Sequence, residues 1–157
     1  MKIAGKIFSG PRVETLVLPR QDGDTVIKAR AVLNFDDFDV ICKEPKPPLK
    51  MVPGGGSIPL LTDKDYAKKL ELYAERQTHW MILRSLEATE GLQWDTIDAT
   101  NPATWGNYRK EMTDAGFSFA EINMIVRLVI DACGLNQAKI EEATKRFLAG
   151  QEVQPVV

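Results

Sequence analysis

The chain has 157 residues, of which 44% are hydrophobic and 27% charged, so it is long enough for one domain with a core of its own. Its net charge of -2 and pI of about 5.5 exclude a broad basic face for a phosphate backbone, leaving room only for a small local patch. No apolar run approaches the ~20 residues of a membrane span, and "MKIAGKIFSGPRVE" lacks the continuous apolar centre of a signal peptide.

The first zone, residues 1–35, reads as strands. "TVIKARAVL" sets Ile27, Ala29, Ala31 and Leu33 on one face against Val26, Lys28, Arg30 and Val32 on the other. "RVETLVLPR" alternates less cleanly, and Asp22-Gly23 between the two runs is a turn signal. A β-hairpin follows. A lone hairpin is marginal in water, so it must pack on the helices, on a partner or on another copy.

Residues 36–62 read as a Pro/Gly-rich linker. "KEPKPPLKMVPGGGSIP" holds five prolines and three consecutive glycines. Proline donates nothing to a strand ladder, and glycine has much entropy to lose. The expectation is extended, partly polyproline backbone with a mobile Gly54–Gly56.

Residues 63–150 read as a bundle of about four helices. The first runs from Thr62 or Asp63 to about Glu87, with Tyr66, Leu70, Tyr73, Gln77, Trp80 or Met81, and Arg84 stepping by three and four. The second opens at "NPATW", where Asn101 or Asp98 caps and Pro102 fits the first position, and ends at Ala115-Gly116. The third opens at Ser118, in capping-box spacing with Glu121. Ile122, Ile125, Val126, Val129 and Cys133 form its stripe and Gly134 closes it. The fourth opens at Asn136 and carries Ile140, Ala143, Phe147 and Leu148 before Gly150. Residues 151–157 read as a frayed tail. The fold class expected is α+β, mainly α.

No catalytic or metal-binding constellation is spelled out. His79 is the only histidine and has no second ligand one turn away. Cys42 and Cys133 stand far apart without a CxxC. They read most simply as free thiols, a single disulfide being the alternative. Asp95 and Asp98 lack calcium-loop spacing and have no base beside them, so they read as turn and cap residues in a helix joint. "NFDDFD" reads as the hairpin's exit. "PGGGS" lacks the Gly-Lys-Ser/Thr of a phosphate loop. Pro45 to Pro48 resembles a polyproline ligand motif, with a plain linker the simpler account. The remaining feature is aromatic supply. Tyr66, Tyr73, Trp80, Trp94, Trp105 and Tyr108 fall in or beside the helices, mostly as core, with some as candidates for a partner surface.

From about Tyr66 to Gln151 the sequence resembles the tail assembly chaperones of long-tailed, siphophage-type bacteriophages. The residues that carry the likeness are Trp94, Pro102 to Trp105, Glu111, "AGFS" at Ala115 to Ser118, Glu121, Ile125 and "FLAGQ" at Phe147 to Gln151. Asn101 stands where the pattern has an aspartate, and both residues cap helices. The resemblance implies a non-enzyme without cofactor. Such chaperones bind and solubilise the tape measure protein in the host cytoplasm. They help recruit tail tube protein and are absent from the virion. Weak self-association is the companion expectation, through an unpaired hairpin or exposed aromatics. Two other classes stay open: a small helical regulatory or nucleic-acid-binding protein, and an enzyme whose site assembles only in the fold.

Overall fold

The computed structural model describes residues 1–152, with backbone alone for Gln151 and Glu152. The chain is α+β and mainly α. Its elements run β1 (Lys2–Ile3), β2 (Lys6–Ile7), β3 (Val13–Leu18), β4 (Thr25–Arg30), α1 (Asp36–Ile41), β5 (Leu49–Met51), β6 (Ser57–Pro59) and α2 (Lys64–Leu86). A 3-10 turn (Pro102–Asn107), α3 (Tyr108–Asp114), α4 (Phe119–Ala132) and α5 (Gln137–Glu152) follow. The strands form three separate antiparallel hairpins: β1–β2, β3–β4 and β5–β6.

The β3–β4 hairpin runs from Val13 opposite Arg30 to Leu18 opposite Thr25. Alternation decides its inner face. Leu18, Ile27 and Ala29 are buried and Leu16 packs beside them, while Val13, Val17 and Val26 look outward. The buried face meets Ile82 and Leu86 of α2 and Ile122, Ile125, Val129 and Ala132 of α4. The hairpin therefore docks on its own helices. The Thr89 hydroxyl accepts from the Lys28 N–H and donates to the Lys28 carbonyl, both at 2.9 Å, which occupies the outer edge of β4 at that point.

Residues 36–62, expected as an extended, partly polyproline linker, hold a short helix and a hairpin. Phe35, Phe38 and Cys42 recur at helical spacing, and α1 turns Phe38 and Cys42 into a second core with Trp80 and Trp105. Phe38 is completely buried, with its ring centre 5.3 Å from Tyr73, 5.9 Å from Trp80 and 6.1 Å from Trp105. Leu83 and Ile97 pack against both cores and join them. Further on, β5 and β6 pair across the glycines, with Val52 N–H donating to Gly56 carbonyl at 3.2 Å. Gly54, Gly55 and Gly56 all have positive φ, a turn that side chains would strain.

Asp63 caps α2, its carboxylate accepting from Tyr66 N–H at 2.9 Å. The C-terminal half of α2 buries Trp80, Ile82, Ser85 and Leu86. The half from Lys64 to Leu72 is exposed apart from the half-buried Tyr66. The second expected helix begins as the 3-10 turn and becomes α3. It ends in a Schellman motif: Gly116 has φ +94°, and Phe117 N–H donates to Met112 carbonyl at 3.0 Å. The capping box of α4 is complete, with Ser118 and Glu121 each accepting from the other's backbone N–H. Asn136 caps α5, accepting from Lys139 N–H at 3.2 Å.

Helix α5 continues through Gly150 to Glu152, so residues 151 and 152 of the expected tail are helical; residues 153–157 lie outside the described residues. It differs from the other helices in having no cover. Every side chain from Gln137 to Gly150 is exposed, including Ile140, Phe147 and Leu148.

Candidate functional site

The segment from Trp94 to Trp105 is a joint, and its polar atoms serve one another. Glu111, reaching up from α3, accepts from Asp95 N–H at 2.6 Å, Thr96 N–H at 3.3 Å and Thr96 hydroxyl at 2.8 Å. Burial pushes the Glu111 carboxyl up, and the three hydrogen bonds together outweigh it, leaving the group below the usual carboxylate range. Asn101 is the helix cap, accepting from Ala103 N–H at 3.2 Å. Of the two residues read as the alternative caps, Asn101 takes the role and Asp98 does not. Asp98 closes an Asx-turn instead, accepting from Thr100 hydroxyl at 2.7 Å and Thr100 N–H at 2.8 Å, which lower its pKa. The Asp98 carbonyl accepts the Trp105 indole N–H at 3.0 Å. That bond satisfies the ring's polar atom and lets Trp105 sink to 1% exposure.

Tryptophan 94 does not sink as far. It is half-buried and lines a groove of about 360 Å³ with Ile27, Leu86, Leu92, Met112 and Phe117. The wall is apolar because three elements present their ends to one another: β4, the loop after α2, and the α3–α4 turn. Asp95, Glu111 and Asp114 are the charged residues of its lining, and all three are acidic. Glu111 is tied to the joint's backbone and Asp114 to Lys110 at 2.6 Å, an exposed pair that water screens. Asp95 has its backbone N–H on Glu111 and its side chain in solvent. The groove thus offers hydrophobic contact under a negative rim. It suits an apolar side chain flanked by cations better than an anion.

Burial sorts the six aromatic candidates. Trp80, Trp105 and Tyr108 are core residues, and the expectation that they form a partner surface is corrected: all three are buried in the two cores. Tyr73 is half-buried, its ring tilted 57° against that of Phe38, and it donates to Asp39 at 3.3 Å. Tyr66 is half-buried on the projecting half of α2, apart from the groove. Trp94 alone of the six lines it. Ile27, Leu92 and Phe117, which complete it, come from three segments far apart in the sequence, and no pattern along the chain links them.

His79 faces inward, its ring 5.7 Å from that of Tyr108 at 69°, and burial lowers its pKa. Cys42 is buried, which raises its thiol, and both cysteines are unpaired. Among the described residues no three His, Cys, Asp or Glu side chains converge on a metal position, and no helix is long and apolar enough to cross a membrane. No protein-family model, curated protein or solved structure matches the chain.

Proposed function

We propose that the protein is a tail assembly chaperone of a long-tailed bacteriophage. It binds the tape measure protein in the host cytoplasm, keeps that long helical client soluble and helps gather tail tube subunits around it. The sequence resemblance from Tyr66 to Gln151 supplies the family. The observation that favours the role is the groove under Trp94, apolar within and acidic at the rim. An amphipathic client helix can lay an apolar anchor into such a groove while its lysines and arginines meet the rim. Many such weak contacts along one client give avidity without any tight single site.

Co-expression with a tape measure fragment tests the reading. The expected result is a soluble complex that survives size-exclusion chromatography, where the fragment alone precipitates. A fragment that aggregates equally with and without the chain would sink it.

A further inference from the structure

The chain carries a second depression, of about 330 Å³, whose charge is opposite to that of the groove under Trp94. Ile41 at the end of α1, Leu72 of α2, Pro45, and Pro102 at the start of the 3-10 turn make its apolar part. Ile41 and Leu72 are 39% and 44% exposed, so this apolar surface is open to a partner. Phe38 and Cys42 root the α1 side in the second core with Trp80 and Trp105, which fixes the shape before anything binds. Lys43, Lys69 and Arg76 are the charged residues of the lining, and all three are basic. None forms an ion pair among the described residues, whereas Arg12, Arg20, Arg30 and Arg84 each hold a carboxylate. Carboxylates do stand nearby. Asp39 accepts from the Tyr73 hydroxyl at 3.3 Å, Glu44 adjoins Lys43 in the chain, and Asp65 lies one turn before Lys69. All three fall outside the lining and beyond ion-pair reach of its cations.

The spacing of the cations selects the occupant. Lys69 and Arg76 are two turns apart on one face of α2, roughly 10 Å along its axis, with Leu72 between them. That span is wide for one small anion. It matches two carboxylates placed one turn to either side of an apolar side chain. We propose that this depression docks an acidic segment of a partner protein, an apolar side chain seated against Ile41 and Leu72 and the flanking carboxylates on Lys43, Lys69 and Arg76. Each of these cations gains a charge-assisted hydrogen bond when a carboxylate arrives. The protein then has two docking sites of opposite charge. Leu72 at one and Leu86 at the other stand roughly 20 Å apart along α2. An acidic partner is held here while the groove under Trp94 holds a basic one, and like charge keeps each out of the other's site.

Fluorescence anisotropy of dye-labelled helical peptides on the purified full chain is the test. Each peptide carries one Leu, Met or Phe with a glutamate one turn to either side, and each has a control with glutamine in place of both glutamates. At least one glutamate peptide is expected to bind saturably, about tenfold more tightly than its control. Lys69→Glu with Arg76→Glu is expected to weaken that binding about tenfold and to bind the lysine counterpart of the same peptide instead. Lys43→Gln with Lys69→Gln, a milder change at two exposed positions, is expected to weaken it about threefold. Asp95→Lys with Asp114→Lys, at the other groove, is expected to leave it unchanged. The proposal is overturned if no glutamate peptide binds saturably, if the glutamine controls bind equally well, or if both lysine-site variants bind as the wild type does. Each of these results leaves client solubilisation, measured by co-expression, untouched.

Discussion

Arg20 in the turn of the β3–β4 hairpin pairs with Glu121 in the first turn of α4, its Nη2 donating to Oε2 at 2.6 Å. The same guanidinium lies 4.4 Å from the centre of the Phe117 ring and donates to the Gly116 carbonyl at 3.3 Å. Glu121 is also half of the α4 capping box, so one carboxylate ties helix start to hairpin tip. Both side chains of the pair are about one quarter exposed, 25% and 24%, which keeps the attraction from being fully screened. Arg20→Ala is expected to cost about 2 kcal/mol, the sum of a charge-assisted hydrogen bond and a cation–π contact. Urea midpoints for Arg20→Ala, Glu121→Gln and the double variant give the coupling. A coupling of about 1 kcal/mol is expected, and strict additivity would show that the two side chains stabilise the fold separately.

Ser85 predicts the opposite sign. It is wholly buried in α2, and its hydroxyl has no hydrogen-bond partner among the described residues. An unpaired hydroxyl loses its hydration on folding and recovers nothing. Ser85→Ala is therefore expected to stabilise the protein by about 1 kcal/mol. Ser85→Val, which adds volume to a closed site, is expected to destabilise by a similar amount. Thermal unfolding of both variants separates hydration from packing, and a destabilised alanine variant would mean that the hydroxyl is satisfied in solution.

Burial holds the His79 imidazole below its ordinary value, so the folded chain binds this proton more weakly than the unfolded chain. Stability is then lost as pH falls through the ordinary histidine range near 6.5, because the unfolded state takes up the proton first. His79→Gln should flatten stability between about pH 7.5 and 5.5 while leaving the carboxylate-driven loss at lower pH. The ring's position also constrains Gly106. A Cβ there would stand 3.1 Å from His79 Cε1 and 3.3 Å from Nδ1. Gly106→Ala is expected to cost about 1 kcal/mol through displacement of the ring. Adding His79→Ala should reduce that cost in chemical denaturation, and an undiminished cost would place the strain in the backbone instead.

What was legible in the sequence is what is local. The Ile27–Ala29 alternation, the Asn101 and Asn136 caps, the Ser118–Glu121 box and the Gly116 stop each depend on a few neighbouring residues, and the chain folds them as read. Phe35, Phe38 and Cys42 had helical spacing too, but four acidic or polar neighbours in "NFDDFD" hid a stripe made of one residue of a six-residue helix and the two that flank it. The prolines of residues 45–59 argued against strands, yet a short exposed hairpin has outer edges that need no donor. The aromatic residues show the larger limit. Periodicity placed Trp80, Trp94, Trp105 and Tyr108 on helix faces or in the joint. Only the packing of α1 and β4 decides that three are buried and Trp94 is left beside a groove. That groove draws its wall from Ile27, Leu92 and Phe117, three segments with no shared pattern, so no scan along the chain could have assembled it.

Asp131 near the end of α4 determines how α5 leaves. Its carboxylate accepts from Lys139 Nζ at 2.7 Å and from Asn136 Nδ2 at 2.9 Å, across the turn between the two helices. These bonds, Lys139 first, lower the Asp131 pKa. The Asp131 side chain is only 12% exposed, so water replaces the bonds poorly. The clasp stabilises the junction while the carboxylate is ionised and is lost as pH falls through the carboxylate range. Asp131→Ala is expected to loosen α5 selectively. Amide exchange over residues 137–150 should quicken about tenfold, while the urea midpoint, governed by the two cores, falls by less than about 1 kcal/mol. Lys139→Ala, which keeps the Asn136 bond, should give a smaller effect on the same amides. If exchange quickened equally in α4 and β4, the clasp would belong to the global fold rather than to the orientation of α5.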